Sequence, residues 1–232
     1  MRTNQLHGEE SPRPELTEAQ EDYLKQIFLL GGDADRVSTQ ALARELRVKP
    51  ASVTEMVGRL AQLDLVEHAP YHGVRLTGAG RRVALEMLRH HRLLETFLVE
   101  ALGYEWDQVH DEAERLEHVI SERFEERIAE AMGHPTHDPH GDPIPSPDLS
   151  LPSRDSSVQL LQLPVGFRGT LVRVGAQDSD NLNLLNRLGL APGCTVEVVS
   201  DDERGVRVRV GEDRFLLPAY LAEALWMEEA EQ

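Results

Sequence analysis

Histidine and carboxylate side chains recur at helical spacing in two stretches near the middle of the chain. His91 and Glu95 are four residues apart and therefore share one face of a helix. On the next predicted helix, a single stripe holds His110, Glu114, Glu117 and His118. Imidazole and carboxylate donors suit Mn²⁺ or Fe²⁺, accept Zn²⁺, and suit Cu(I) poorly. Two such stripes on adjacent helices could converge on divalent metal, whereas the alternative interpretation is a solvated charged face.

Other titratable residues carry less information. We expect four later glutamates to lie on a solvated face: Glu122, Glu125, Glu126 and Glu130. A His-x-x-His-x-x-His run, His134 to His140, lies among prolines, and we assign it no metal role because a linker explains it. The single cysteine, Cys194, excludes an intramolecular disulfide and any thiolate-rich zinc site.

Three short helices and a hairpin are predicted at the N-terminal end. Residues 17–20 form a capping box, Ser38 is a helix cap, and Pro50 suits the first position of a third helix. Two apolar runs, 65–68 and 74–76, flank a turn-rich segment and predict a hairpin. This order of elements is typical of a winged helix-turn-helix.

The rest of the chain predicts two long helices, a linker and a small barrel. We expect one helix from Thr77 to about Leu102 and another from Trp106 to Met132. Residues 133–157 are rich in proline, and short β-type runs with turns follow from residue 158.

Charge is unevenly distributed along the 232 residues, whose net charge is -17. Such acidity argues against nucleic acid as a partner, but residues 37–92 hold nine basic and five acidic groups, a net charge of +4. This basic segment covers the second and third helices and the hairpin, which favours DNA binding. The sequence contains no apolar run of about 18 residues, so it predicts no membrane span. The N-terminus lacks the apolar core of a secretion signal, so we expect a cytoplasmic protein.

The third helix, from Pro50 to Leu63, is the predicted recognition helix. Ala51 and Ser52 could touch thymine methyl groups, and Glu55 could accept a hydrogen bond from cytosine. Lys49 and Thr54 could reach phosphate or base edges. Further candidates for phosphate contacts are Thr39, Gln40, Arg59 and Arg75. For each arginine, a solvated surface charge is the alternative.

Three segments carry a family resemblance. The segments are RHHRLLETFLVEALGYEWDQVHDEAERLEHVISERFEERI, TEAQEDYLKQIFLL and HDPHGDPIP. They resemble the sensing helices, the first helix and the linker of the diphtheria toxin repressor family of iron- and manganese-dependent regulators. The resemblance implies a mainly α N-terminal part, with a winged helix-turn-helix and a helical dimerisation domain, followed by a small all-β SH3-like barrel. The implied domains are 1–76 for DNA binding, 77–140 for dimerisation and sensing, a linker at 141–157, and a FeoA-like barrel at 158–232.

The resemblance also implies two metal sites. The primary site would use Asp22, Glu114, Glu117 and His118. The ancillary site would use His91, Glu95 and His110, with Asp178 and Asn181 from the barrel. Asp22 and Glu114 are oxygen donors where iron-sensing relatives carry Met and Cys, which favours Mn²⁺ over softer ions and over ions higher in the Irving–Williams order. Lys25 occupies a position where short manganese regulators have a second carboxylate, so two separated sites are expected.

The function implied is that of a dimeric repressor with Mn²⁺, or alternatively Fe²⁺, as corepressor of metal-uptake genes. Its partners would be operator DNA and a second copy, with no membrane and no small-molecule substrate. One alternative is a winged-helix regulator that is metal-independent or senses a small molecule. Another is a di-metal carboxylate enzyme, but this needs Glu-x-x-His on two helices, and Arg115 and Leu88 stand where those glutamates would be. We therefore expect no enzymatic activity.

Overall fold

A computed structural model describes residues 16–152, 156–176 and 178–229. The outermost residues of the first and last expected domains, and residues 153–155 of the expected linker, lie outside these ranges. The chain divides into two compact units, one ending at Ala84 and the other beginning at Leu85. None of the described helices combines the length and apolarity that crossing a bilayer requires.

The first unit is the predicted winged helix-turn-helix. It contains α1 (Glu18–Leu29), α2 (Thr39–Glu45), α3 (Pro50–Gln62), β1 (Val66–Ala69) and β2 (Gly73–Leu76). The strands pair antiparallel, and the helices bury a shared core that includes Leu24, Ile27, Leu42, Val57 and Leu60.

Local sequence explains where these helices begin. The Thr17 side chain accepts a hydrogen bond from the Gln20 amide, and the Gln20 side chain accepts one from the Thr17 amide. The Ser38 hydroxyl accepts from the amide of Ala41, and Pro50 occupies the first turn of α3. Such caps satisfy amide groups that have no partner within the helix.

The second unit begins within α4 (Gly78–Leu102), which starts in the first unit. The single helix predicted from Trp106 to Met132 is wrong, because the chain instead forms α5 (His110–Leu116) and α6 (Glu122–Ala131). Ser121 causes the new start: its backbone is extended and its hydroxyl accepts from the amide of Phe124.

The segment between α6 and the barrel is held against α4. Arg89 Nη1 donates to the carbonyl of Pro145 at 2.6 Å, and Arg92 Nη1 donates to that of Pro143 at 2.7 Å. The Asp138 carboxylate accepts from the amides of His140 and Asp142. The proline-rich segment is therefore positioned by specific hydrogen bonds over the part next to α4.

The barrel is a six-stranded antiparallel sheet with strand order β3-β8-β4-β5-β6-β7. Its elements are β3 (Val158–Gln159), β4 (Arg168–Val174), α7 (Ser179–Arg187), β5 (Thr195–Asp202), β6 (Gly205–Val210), β7 (Asp213–Leu217), α8 (Ala219–Glu223) and β8 (Leu225–Glu229). Apolar side chains from the strands and both helices form its core, among them Leu171, Leu182, Val208 and Leu225. The predicted fold class, a helical N-terminal part followed by a small β barrel, is confirmed.

Candidate metal centre

His91 lies at the centre of a buried cluster formed by α4 and α5. Its Nδ1 is 2.5 Å from Glu117 Oε2, and its Nε2 is 3.0 Å from Glu95 Oε1 and 3.1 Å from His110 Nδ1. The four-residue spacing on α4 brings His91 and Glu95 together, as predicted. The Glu114 carboxylate lies 3.9 Å from a ring nitrogen of both His91 and His110. These helices thus bring five of the predicted ligands into one connected group.

Glu95 has no solvent exposure and is surrounded by imidazoles. Its Oε1 is 3.2 Å from His110 Nδ1, and its Oε2 is 3.2 Å from His140 Nδ1. Burial acts to raise the pKa of Glu95, but His91, His110 and His140 together hold it well below its usual value. Glu95 is therefore an ionised carboxylate inside the protein, which is the state that a metal ligand requires.

His140 and Asp138 are candidate ligands that the sequence did not group with Glu95. One ligand atom from each of Glu95, Asp138 and His140 lies within 4.8 Å of the others, and all three residues are buried. The interpretation of the histidine run as linker alone is therefore incomplete for His140, whereas His134 and His137 are exposed. The 45 residues between His140 and Glu95 leave no spacing pattern, so only the folded chain shows this pair.

Asp138 is held in an unfavourable environment for a charge. Burial, together with the nearby carboxylates of Glu95 and Asp142, raises the pKa of Asp138 to about 8, although Arg92 and His140 oppose this. Within the described residues, its buried Oδ2 makes no hydrogen bond. A metal cation beside this carboxylate would stabilise its charged form and so oppose the effect of the neighbouring carboxylates.

The remaining predicted ligands fall in three places. His118 is adjacent to Glu117 just after α5, with its Nε2 3.6 Å from Glu117 Oε1. Asp22 lies on α1 in the first unit. Asp178 and Asn181 bond to each other at the start of α7, where Asp178 caps the helix. Asp178 is in none of the groups of three or more His, Cys, Asp and Glu ligand atoms found among the described residues.

Contacts around α7 nevertheless join the barrel to α5 and the segment before it. Asn186 Nδ2 donates to Asp107 Oδ2 at 3.0 Å, and Trp106 Nε1 donates to Asn186 Oδ1 at 3.2 Å. Val174 at the end of β4 donates its amide to the carbonyl of His140 at 2.8 Å. The barrel therefore lies directly against the residues that carry the metal cluster.

The predicted DNA-binding residues form an exposed surface on the first unit. Two of them are partly buried, Thr39 and Arg75, and the others are exposed: Gln40, Lys49, Pro50, Ala51, Ser52, Thr54, Glu55 and Arg59. Arg59 forms an ion pair with Glu55 at 2.5 Å, and Arg75 forms one with Glu67 at 2.9 Å. Both arginines would have to exchange a carboxylate for a phosphate on binding DNA.

Comparisons with known proteins match every part of this arrangement. Residues 15–74 match the iron dependent repressor N-terminal DNA binding domain, 77–146 match its metal binding and dimerisation domain, and 158–229 match the FeoA domain. The iron-dependent repressor IdeR of Mycobacterium leprae is 31% identical over 227 residues, covering 92% of this chain and 98% of that protein. The chain belongs to the iron-dependent repressor family.

Solved structures of iron-dependent repressor relatives agree with the fold throughout. A manganese-dependent transcriptional repressor in complex with manganese is 39% identical, with a TM-score of 0.82, covering 90% of this chain and 99% of that one. ScaR with bound Zn²⁺ is 31% identical, with a TM-score of 0.78 and the same coverage.

Membership of the iron-dependent repressor family decides between the functions left open by the sequence. The chain is a metal-dependent, DNA-binding repressor whose partners are operator DNA and a second copy of itself. It is not an enzyme, since its relatives are transcriptional repressors. The two alternatives, a metal-independent regulator and a di-metal enzyme, are therefore excluded.

Proposed function

We propose that Mn²⁺ is the activating metal and that the loaded dimer represses metal-uptake genes. Two oxygen donors, Asp22 and Glu114, support manganese, because hard carboxylates suit Mn²⁺ without the soft donors that favour competing ions. The 39% identical relative bound to manganese supports the same assignment. Fe²⁺ is the alternative activator.

In this proposal, two separated sites hold the metal. The primary site is Asp22, Glu114, Glu117 and His118. The ancillary site is His91, Glu95 and His110, to which the buried positions of Asp138 and His140 add two further donors. Asp178 and Asn181 remain candidate barrel ligands, but reaching the ancillary site would require them to exchange their mutual hydrogen bonds for a metal.

The contact between His91 and Glu117 is the observation that carries this proposal. One imidazole touches Glu95 of the ancillary set through Nε2 and Glu117 of the primary set through Nδ1. If His91 exchanged Glu117 for another partner, Glu117 would lose this contact. The two sets of ligands are therefore not independent. A bound divalent cation would supply the positive charge that these clustered carboxylates need.

Asp22 would transmit the metal signal to DNA. It lies on α1, whose buried side chains share a core with those of α3, so fixing α1 also fixes the recognition helix. In a dimer, two such helices must be spaced by about one turn of DNA, roughly 34 Å. A coupling free energy of about 1 to 3 kcal/mol, which is a 5- to 150-fold change in affinity, makes a useful switch.

We further propose the domain boundaries given above, 1–76, 77–140, 141–157 and 158–232. The DNA-facing residues are Thr39, Gln40, Lys49, Pro50, Ala51, Ser52, Thr54, Glu55, Arg59 and Arg75. A cytoplasmic location is part of the proposal, because the protein must meet chromosomal DNA.

The test is DNA binding with and without metal. Duplexes selected from a random library in the presence of Mn²⁺ serve as probes for fluorescence anisotropy. We expect at least about 10-fold tighter binding with Mn²⁺ than with chelator. Asp22→Ala and Glu117→Ala should abolish the difference, whereas Glu126→Ala, which removes an exposed carboxylate from α6, should retain it. Equal affinity with chelator and with Mn²⁺ contradicts the proposal, and activation by anaerobic Fe²⁺ at lower free concentration than Mn²⁺ assigns iron instead.

A further inference from the structure

A third group of potential ligands lies outside both proposed metal sites. Glu86 and His90 on α4 and Glu122 on α6 each offer a ligand atom, and these atoms lie within 4.8 Å of one another. Glu86 and His90 share a helix face through their four-residue spacing, and Glu122 is the first residue of α6. The Ser121 cap that interrupts the predicted long helix is what places Glu122 here.

The expectation that the glutamates of α6 are solvated is wrong for one neighbour of this group. Glu125 is only 8% exposed. Its Oε1 accepts a hydrogen bond from Arg89 Nε at 2.5 Å, and its Oε2 is 3.0 Å from His90 Nε2. Three carboxylates, those of Glu86, Glu122 and Glu125, therefore lie close to one imidazole.

His90 is oriented as metal-binding histidines usually are. Its side chain is 8% exposed, and its Nδ1 is 3.2 Å from the backbone carbonyl of Glu117. A carbonyl oxygen can only accept, so Nδ1 is the donor and Nε2 is the ring atom that remains for a metal. This Nε2 is buried and lies 3.0 Å from Glu125 Oε2 without the geometry of a hydrogen bond. A ring whose orientation is fixed through Nδ1 has the outer support that metal-binding histidines usually have, and metal binding would displace any proton on Nε2.

The two glutamates at the open side of the group are also close enough to share a hydrogen bond. Hydrogen bonding to Glu86 raises the pKa of Glu122, with burial and the charge of Glu86 adding to the effect. Two carboxyl groups can share a hydrogen bond only if one of them carries a proton. A divalent cation would bind both carboxylates in place of that proton.

We propose that Glu86, His90 and Glu122 form a third metal site, which takes a divalent transition-metal cation. Glu125, held by Arg89, supplies additional negative charge beside it. One imidazole and two carboxylates match the donor sets that bind Zn²⁺, and the Irving–Williams order gives Zn²⁺ higher affinity than Mn²⁺ at such a site. The bound ion links α4 to α6, and through the His90–Glu117 hydrogen bond it steadies the backbone of a primary-site residue.

The double variant Glu86→Gln/Glu122→Gln tests the site. Metal content per chain is measured after equilibrium dialysis against Zn²⁺ alone and against Mn²⁺ alone. We expect the double variant to bind one Zn²⁺ fewer per chain than the wild type. The control Glu126→Gln/Glu130→Gln, which removes two exposed carboxylates of the same helix, should bind as the wild type does. Equal Zn²⁺ content in all three proteins overturns the proposal.

Two further measurements keep the outcome decisive. Anomalous diffraction from Zn²⁺-soaked wild-type crystals should show a peak about 2.0 to 2.2 Å from His90 Nε2, and a map without such a peak overturns the site even if the double variant fails to fold. Asp22→Ala should lose the metal response in DNA binding yet retain this ion. The two proposals can therefore be contradicted separately. A missing metal response in DNA binding would not contradict the third site, and a missing third ion would not contradict the proposed function.

Discussion

At the scale of single residues, buried carboxylates dominate the second unit. Glu95 is buried among histidines that hold its pKa low and favour its charged form, whereas Asp138 is buried mainly beside other carboxylates that raise its pKa to about 8. Glu95 thus has partners that stabilise its charge before any metal binds. Asp138 is expected to hold a proton at neutral pH, so it contributes to the pH dependence of the stability of the metal-free protein.

Asp138 gives the prediction at this scale. Its pKa is about 8 in the folded protein and 3.8 for an ordinary exposed aspartate, so between these pH values the folded state retains a proton that the unfolded state has lost. The free energy of unfolding of the metal-free protein should therefore fall as pH rises through this window, by at most about 1.4 kcal/mol per unit from this group. Urea unfolding at pH 6, 7 and 8 measures it.

The matched variant is Asp138→Asn, which retains the oxygen that accepts from the amides of His140 and Asp142. Relative to wild type, the variant should gain stability with rising pH because it has no proton to lose. Parallel pH profiles for the two proteins would show that Asp138 ionises normally.

Part of the candidate site follows from sequence and part does not. Helical spacing predicts that His91 and Glu95 share one face of α4, and the family resemblance is what adds His110 from the next helix. His140 and Asp138 could not be predicted, since they reach Glu95 only through the path of a proline-rich segment. The glutamates of α6 are the opposite case: Glu125 has the sequence pattern of a solvated face, and its burial depends on Arg89 and His90 across the helix interface.

At the scale of elements, the helix starts that the sequence predicts have capping residues. The path of the linker segment, which the sequence does not predict, depends on tertiary hydrogen bonds. The Thr17 box, Ser38 and Pro50 mark three helix starts within a few residues of sequence. The path of residues 138–145 instead depends on Arg89 and Arg92, more than 50 residues away along the chain. No local pattern encodes a hydrogen bond of that range.

Arg92 gives the prediction for this segment. Besides donating to Pro143, it lies 3.6 Å from Asp138 and 3.7 Å from Asp142, with a side chain only 8% exposed. Arg92→Leu would remove the donor to the Pro143 carbonyl and the positive charge beside Asp138, so we expect a loss of about 1 to 3 kcal/mol in the free energy of unfolding. Urea denaturation measures the loss, and hydrogen exchange should show faster exchange at residues 138–144.

Arg127→Leu is the control, because its ion pair with Glu130 is 67% and 46% exposed and should contribute less than about 1 kcal/mol. If Arg92→Leu and Arg127→Leu lower the free energy of unfolding by equally small amounts, Arg92 does not hold the linker segment in place.

At the scale of the whole molecule, charge is less clearly divided than the sequence segment 37–92 suggests. Four of its nine basic residues lie on α4, so α2, α3 and the hairpin hold five basic and four acidic groups, while the chain as a whole carries -17. Affinity for DNA must therefore come from a few cations on one surface, since the remaining charge repels phosphate. The overall negative charge of the chain therefore favours weak non-specific DNA binding, but it does not exclude DNA as a partner.

The salt dependence of DNA binding tests this division. Arg59→Gln should lower the slope of log affinity against log salt concentration by about one and weaken binding to all sequences alike, because one phosphate contact is lost. Arg204→Gln removes a cation from the barrel whose side chain is even more exposed than that of Arg59, and it should leave the slope unchanged. Equal reductions in both variants would place DNA against the barrel as well.

The hydrogen bond from Val174 to His140 has a practical consequence for measuring metal occupancy. It joins the end of β4 to a candidate ligand, and Gly141 beside it approaches the β4 backbone so closely that a Cβ would collide with the carbonyl of Val172. A fluorophore attached to the barrel near β4 would therefore lie close to a candidate ligand while leaving every proposed ligand unaltered. A change in its signal when Mn²⁺ is added would show that metal loading alters this contact.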